Sequence, residues 1–461
     1  MKKWAQIIWL FLLPCCLHAQ QTTGNMANFG MAAPEWTLRA NIYEVNIRQY
    51  TPEGTLKAFS AHLPRLKAMG VDIFWLMPVF PIGEVNRKGS LGSYYSIQDY
   101  KAINPAFGTM ADFDSLVARI HDLGMYVILD WVANHTAWDH PWTRQHPDWY
   151  NRDVQGNILV PADNNGNLTD WTDVADLNYN NSEMRKEMIS EMLFWAKEHH
   201  VDGFRCDIAG FVPLNFWQQA KAELDKAGHF FMLAEDENPD FHTGAFHMTY
   251  AWGVHHKMVD VAKGKANAKD LAKTLSDEQV KFAKDAYRMQ FIDNHDENSW
   301  QGPVSSRFGP GYKAFAVLTY IIPGMPLIYS GQESSLNKSL RFFEKDTIAF
   351  DGFYDADFYT RLNMLKHKQA ALANGVFGGD FTIIPNSSPE EVLCFVRKKG
   401  NSELISLFNL SGKEAKVKYS GDGKITEGRY TEYFSGNKAD IQSTGRLSLS
   451  PWEYKIYIRD L

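Results

Sequence analysis

The chain has 461 residues, enough for two or three domains around a sizeable core, and 45% hydrophobic with 22% charged residues is an ordinary globular composition. A formal net charge of -7 argues against a nucleic-acid partner. Past the first residues no stretch is long and apolar enough to span a membrane, so the mature chain is expected to carry no transmembrane segment.

In chain order, Met1-Lys2-Lys3 and the apolar run from Ile7 to Leu13 read as a secretory signal, with a cleavage site at Leu17-His18-Ala19. Residues 1–19 are therefore expected to be removed and the protein to be secreted or periplasmic. Cys15 and Cys16 offer the alternative of a lipid anchor on an N-terminal cysteine, but Pro14 and the lack of a small residue before either make a poor lipidation site. Cys206 and Cys394 lie far apart in apolar runs and read as buried free thiols. Residues 20–35 are polar, with Gly and Asn, and read as a flexible leader.

Strands and helices then alternate. Asn41 to Arg48 reads as a strand, Leu56 to Met69 as a helix ended by Gly70, and Val71 to Met77 as a strand. Thr109 caps a helix with Asp112 in its first turn, and Met125 to Leu129 is a strand ending on Asp130. Ser182 to His200 is a long helix with Met188, Met192 and Trp195 on one stripe. The strand Val201 to Cys206, a helix near Phe216 to Lys226 and the strand Phe230 to Ala234 follow. A strand near His247 to Trp252, a helix Ala268 to Ala283 and a strand Tyr287 to Ile292 come next. A helix Tyr312 to Ile322, a strand Leu327 to Tyr329 and a helix Phe358 to Ala373 complete the series.

Eight strands alternating with helices imply an α/β fold with a parallel sheet. Polar residues cluster just after strand ends, at Asp130, Asp207, Glu235 and Asp293 to Asp296. A doubly wound sheet would not recruit so many strands to one crevice, and no Gly-rich phosphate loop follows the first strand. A (β/α)8 TIM barrel over residues 36–378 is therefore expected, with its chemistry at the C-terminal ends of the strands. The run from Asn134 to Asn180, rich in Asp, Asn, Trp and Pro, exceeds ordinary loop length. It predicts an inserted subdomain at about 136–180, after the third strand. Asp163 to Asn167 within it is Asp/Asn-rich but lacks EF-hand spacing. Beyond Phe377-Gly378-Gly379 short strands lie between turn signals, predicting a C-terminal all-β sandwich over 379–461.

The strand Val201 to Cys206 carries Arg205 and ends on Asp207. Charges inside are costly unless paired, and positions i and i+2 share one side of a strand. The pair reads either as a structural ion pair or as a nucleophilic carboxylate kept ionised by its cation. Glu235 directly continues an apolar strand, a setting that raises a carboxyl pKa, whereas Asp236 and Glu237 lie beyond it. With Asp296 these give three carboxyls at strand ends. Opposite environments for Asp207 and Glu235 would suit a nucleophile and an acid/base pair in retaining glycoside hydrolysis.

From Tyr43 to the C-terminus the sequence resembles the alpha-amylase family of glycoside hydrolases. The resemblance rests on Asp130-Trp131-Val132-Ala133-Asn134-His135, Gly203-Phe204-Arg205-Cys206-Asp207, Leu233-Ala234-Glu235 and Phe291-Ile292-Asp293-Asn294-His295-Asp296, in that order, with Asp176 to Asn178 as a further region. It implies a retaining enzyme acting on α-1,4-glucans, with Asp207 as nucleophile, Glu235 as acid/base and Asp296 holding sugar hydroxyls. It implies that His135 and His295 bind that sugar, that Tyr95 stacks on it and that Arg205 orients Asp207. Asp130 reads as structural, within the Arg205 network, and Gly324 to Glu333 as scaffold. The resemblance also implies a calcium ion held by Asn134 and Asp176, and no organic cofactor. A transglycosylase or a sucrose- or trehalose-type enzyme is the alternative on the same scaffold, and a non-catalytic glucan-binding protein the rival from another class. Gly210-Phe211 stands where the family often has Lys-His, which leads to the expectation of soluble maltodextrins or cyclic dextrins over raw starch.

Overall fold

The computed structural model describes residues 32–163 and 165–459. The expected signal and most of the leader lie outside the described residues. Eight parallel strands close on themselves: β1 (Ile42–Val45), β2 (Ile73–Leu76), β3 (Tyr126–Trp131), β4 (Gly203–Cys206), β5 (Phe231–Ala234), β6 (Met248–Tyr250), β7 (Tyr287–Gln290) and β8 (Met325–Tyr329). The last pairs with the first, Ile42 opposite Leu327.

Alternating side chains serve two cores. Ile42, Trp75, Ile128, Leu233, Met248 and Met289 fill the barrel interior. Tyr43, Phe74, Val127, Phe204 and Met232 point outward into the layer of helices. Burial on both faces is why these strands read as unbroken apolar runs.

Thr109 and Asp112 form the expected capping box on the helix Met110–Asp122. The long helix spans Ser182–Glu198 and buries Met188, Met192 and Trp195 completely. Two expectations fail locally. The predicted strand Asn41 to Arg48 stops at Val45, and Ile47–Tyr50 turns helical, which points Arg48 at the carbonyls of Leu91, Gly92 and Phe342. The predicted helix Leu56 to Met69 is two, Leu56–Ser60 and Leu63–Ala68. Pro64 has no amide hydrogen to continue the first ladder and sits instead in the opening turn of the second.

After β3, His135–Ala137 pairs antiparallel with Val174–Asp176 and frames the insertion. In the turn 163–167 the Asp163 carboxylate accepts from the amides of Asn165 and Asn167, a solvated turn closed on itself. Beyond the barrel, six strands pair in the order Asp380–Ile383, Val392–Lys399, Ser402–Asn409, Tyr454–Arg459, Gly428–Glu432 and Lys438–Ile441. A second sheet of Ala415–Ser420 and Thr444–Leu449 covers one face, on a core of Cys394, Val396, Leu407, Val417 and Leu449. The other face, with Leu393, Phe395, Leu404 and Phe408, belongs to the barrel's own core. Cys206 and Cys394 are buried free thiols.

Candidate active site

Arg205 is the hub. It leaves β4 toward the barrel axis, is fully buried and lies over the Trp75 ring, 4.8 Å from its centroid. Its Nη1 donates to Asp130 Oδ1 and to Asp207 Oδ1, both at 2.9 Å, and its Nε donates to the Tyr250 hydroxyl at 3.1 Å. Its Nη2 stands 2.9 Å from Glu235 Oε2, close enough for ionic attraction but without hydrogen-bond alignment. One guanidinium thus gathers carboxyls from the ends of β3, β4 and β5.

Asp130 is held from the far side by Trp75 Nε1 at 3.0 Å and by the Tyr95 hydroxyl at 3.2 Å. It is fully buried, as a structural member of the Arg205 network should be. Tyr95 stacks on His295, with ring centroids 5.5 Å apart, and its hydroxyl meets His295 Nε2 at 2.8 Å. His295 Nδ1 is paired with Glu44 Oε1 at 2.6 Å, and Nε2 lies 3.2 Å from Asp296 Oδ2. The chain therefore runs from the three carboxyls through Asp130, Tyr95 and His295 to Asp296 and Glu44.

Burial alone would lower the His295 pKa, but the carboxylates of Asp296 and Glu44 outweigh it and push it up to about 9. His295 is a cation through neutral pH. His135 has no such partner, and burial lowers it to about 4, so it enters the site neutral.

The contrast expected between Asp207 and Glu235 is not what the structure shows. Burial raises the pKa of both, the shared Arg205 opposes it for both, and they do not sit in separate apolar and cationic settings. What distinguishes them is alignment. Asp207 accepts a charge-assisted hydrogen bond from Arg205 at 2.9 Å, which favours its ionised form. Glu235 instead accepts from the backbone amide of Ile208 at 2.7 Å. With Arg205 donating to Asp207 and Asp130 but not to Glu235, a proton on the Asp207–Glu235 pair rests best on Glu235.

A cavity of about 460 Å³ opens onto Asp207, Glu235, Asp296, Tyr95, His135 and His295. Arg205 does not reach it. The three carboxyls and Tyr95 cover it, so it does not touch the sugar itself and can act only by positioning Asp207, the role that the resemblance implies for it. Glu333, in the segment read as scaffold, is fully buried and bonded to Tyr43 and Arg65. Asn134 and Asp176 lie outside the cavity, Asp176 on the ladder that frames the insertion and Asn134 just before it, accepting from the Leu177 amide. A Cβ at Gly210 would lie 2.1 Å from Asp236 Oδ2, so a side chain there would have to displace that carboxylate. Phe211 stacks on Trp171, centroids 5.8 Å apart, on the same side of the site as Ile208 and Glu235.

The sequence reading missed Glu44, Trp75 and Tyr250. Glu44 carried the same signal as Arg205, a charge inside an apolar strand. Trp75 and Tyr250 carried none, since an aromatic in a strand is ordinary core until its polar atom is seen to face a carboxylate or a guanidinium.

Fold and site together define the carboxylate-bearing class of (β/α)8 barrels. The family model for the alpha-amylase catalytic domain matches residues 20–361, and the chain belongs to the alpha-amylase family. Alpha-amylase MalA of Haloarcula japonica is 27% identical over 398 residues, covering 84% of this chain; the chain spans 57% of MalA's length. Among solved structures, a noncanonic maltogenic alpha-amylase AmyB from Thermotoga neapolitana is 30% identical at a TM-score of 0.83, over 92% of this chain and 99% of that one. An alpha-amylase from Lactobacillus plantarum is 28% identical at a TM-score of 0.82, over 92% and 100%.

Proposed function

We propose that the protein hydrolyses α-1,4 bonds of soluble maltodextrins with retention, through a glycosyl-enzyme on Asp207. The observation that supports this most is the single guanidinium that holds Asp207 and Glu235 together at the mouth of the cavity. Glu235 gives its proton to the glycosidic oxygen as Asp207 bonds to the anomeric carbon and the leaving sugar departs. A water then gives its proton to Glu235 and its oxygen to the same carbon, which frees Asp207. Asp296 and the His295 cation bind hydroxyls of the reacting ring, Tyr95 stacks on it, and neutral His135 can donate or accept there. Two displacements at one carbon restore its configuration, so proton NMR of fresh product shows the α-anomer first. An initial β-anomer overturns the mechanism.

The proposal includes a calcium ion where the insertion meets the barrel. Asp176 faces His135 across the short ladder, and the Leu177 amide donates to Asn134 O at 3.1 Å, so the two expected ligands are neighbours. Burial pushes the Asp176 carboxyl up to about 6, and among the described residues its side-chain partner is the Asn151 amide at 2.7 Å. A half-buried carboxylate held by a neutral amide suits a cation. No group of three or more His, Cys, Asp or Glu gathers among the described residues, so carbonyls, the Asn134 side chain and water would supply the rest. That donor set is all oxygen, as calcium prefers, but low in charge, so binding is weak. Removing calcium with EDTA should lower Tm by about 1 °C, equivalent to roughly 1 kcal/mol for a chain this large. Added calcium should restore it, and Asp176→Asn should abolish the response. A wild-type Tm that ignores both reagents removes calcium from the account.

A further inference from the structure

The cavity is bounded by an arch of chain, residues 84–92, between β2 and Tyr95. On one side the arch is joined to the loop after β8. The Ser90 amide donates to Glu344 Oε1 at 2.9 Å and the Leu91 amide to Phe343 O at 3.0 Å. Gly89 has φ of +63°, and a Cβ there would stand 2.5 Å from Phe343 Cβ, so the two loops touch backbone to side chain. Beneath the junction lies Arg48, 4% exposed, with its guanidinium 3.9 Å from the centroid of the Tyr94 ring. It donates to Gly92 O at 3.0 Å, Leu91 O at 3.2 Å and Phe342 O at 3.1 Å, stapling both loops from below. On the other side the arch is joined to the insertion. Lys88 Nζ donates to Asp170 O at 2.8 Å and pairs with Asp173 at 3.3 Å, and the Glu84 amide donates to Asp139 at 2.8 Å.

Barrel order fixes which end of the substrate meets this arch. β2 and β8 both flank β1, and β5, which carries Glu235, lies across the barrel from β1. The leaving sugar departs on the side of the proton donor. The ring that becomes bonded to Asp207 therefore has its non-reducing side toward the arch, where Lys88, Asp170, Phe342, Phe343 and Trp300 line the cavity.

We propose that the arch closes the glycone end of the site, so that the enzyme attacks glucans only from the non-reducing terminus and releases glucose or maltose. This rests on the α-glucan reading above. Chains cannot thread past two stapled loops, so internal bonds of long glucans stay out of reach. Cyclodextrins, which have no chain end, become poor substrates, in place of the preference expected from Gly210-Phe211 alone.

The test is a pair of 4-nitrophenyl maltoheptaosides, one free and one with an ethylidene bridge across O4 and O6 of the terminal glucose. The free substrate should be shortened from its non-reducing end, with glucose or maltose as the first products, and the capped one should react about a hundredfold more slowly, since the cap must clash with the wall. Lys88→Ala with Glu344→Ala loosens both ends of the arch and should narrow the gap between the two substrates at least about tenfold. The milder pair Ser90→Ala with Glu344→Gln should narrow it less. Equal wild-type rates on capped and free substrate, or internal cleavage products from the start, overturn the arch while leaving the α-glucan reading intact. Cleavage of neither overturns both.

Discussion

Asp207→Asn should lower kcat on maltodextrins roughly 10⁴-fold, which at about 1.36 kcal/mol per tenfold is about 5.5 kcal/mol of barrier. The loss is chemical, because an amide oxygen is a poor nucleophile toward the anomeric carbon. The fold should survive. Arg205 keeps Asp130 at 2.9 Å and Glu235 at 2.9 Å, so removing one carboxylate does not strand its charge. Asparagine has the same shape and can still turn its oxygen to Nη1. The measurement is kcat together with Tm. Near-normal turnover moves the nucleophile elsewhere, and a collapse of Tm with turnover shows that the residue was structural.

Glu235→Gln should cost about 10²–10⁴ in rate on maltodextrins, where the leaving sugar needs a proton. On α-glucosyl fluoride, whose leaving group needs little help, the loss in the first step should be far smaller. The pH profile carries a second signature. Glu235 acts as an acid while protonated, and burial raises its pKa, so wild-type activity falls as pH rises through that value. The variant has no proton to lose there, so that alkaline limb should vanish on the activated substrate. Equal losses on both substrates, or a larger loss from Glu237→Gln, assign the proton to another residue. The structure gives Glu237 a different setting, bonded to the Gly253 amide at 3.0 Å and 3.7 Å from Arg288.

Much of this site is legible in the sequence, for one physical reason. A strand buried on both faces should be apolar, and Arg205, Asp130, Asp207 and Glu235 break that rule at or beside strand ends. The Thr109–Asp112 cap was equally legible because its geometry is local. What stayed hidden depends on distant pairings. Arg48 looked like the last residue of a strand, and only its three carbonyl partners, in loops some forty and three hundred positions away, explain why the backbone turns helical at Ile47. The environments of Asp207 and Glu235 were read one neighbourhood at a time. The shared guanidinium that makes them a coupled pair comes into view only when β4 and β5 lie side by side.

The six-stranded C-terminal sheet also bears on how the chain is made. Two of its strands, Val392–Lys399 and Ser402–Asn409, are buried on both faces, one against the small partner sheet and the other against the barrel's helices. Arg361 on the last barrel helix donates to Tyr433 O and Phe434 O at 3.0 and 2.8 Å, and Arg397 reaches back to Ile321 O and Ala371 O, both at 2.8 Å. Synthesis runs from the N-terminus, so each strand waits for its successors. β1 has no closing neighbour until Met325–Tyr329 is made, and the helix face around Ala371 and Leu372 stays bare until Val392 to Ile456 have followed. The newborn barrel therefore exposes this apolar face until the C-terminal domain is made to cover it.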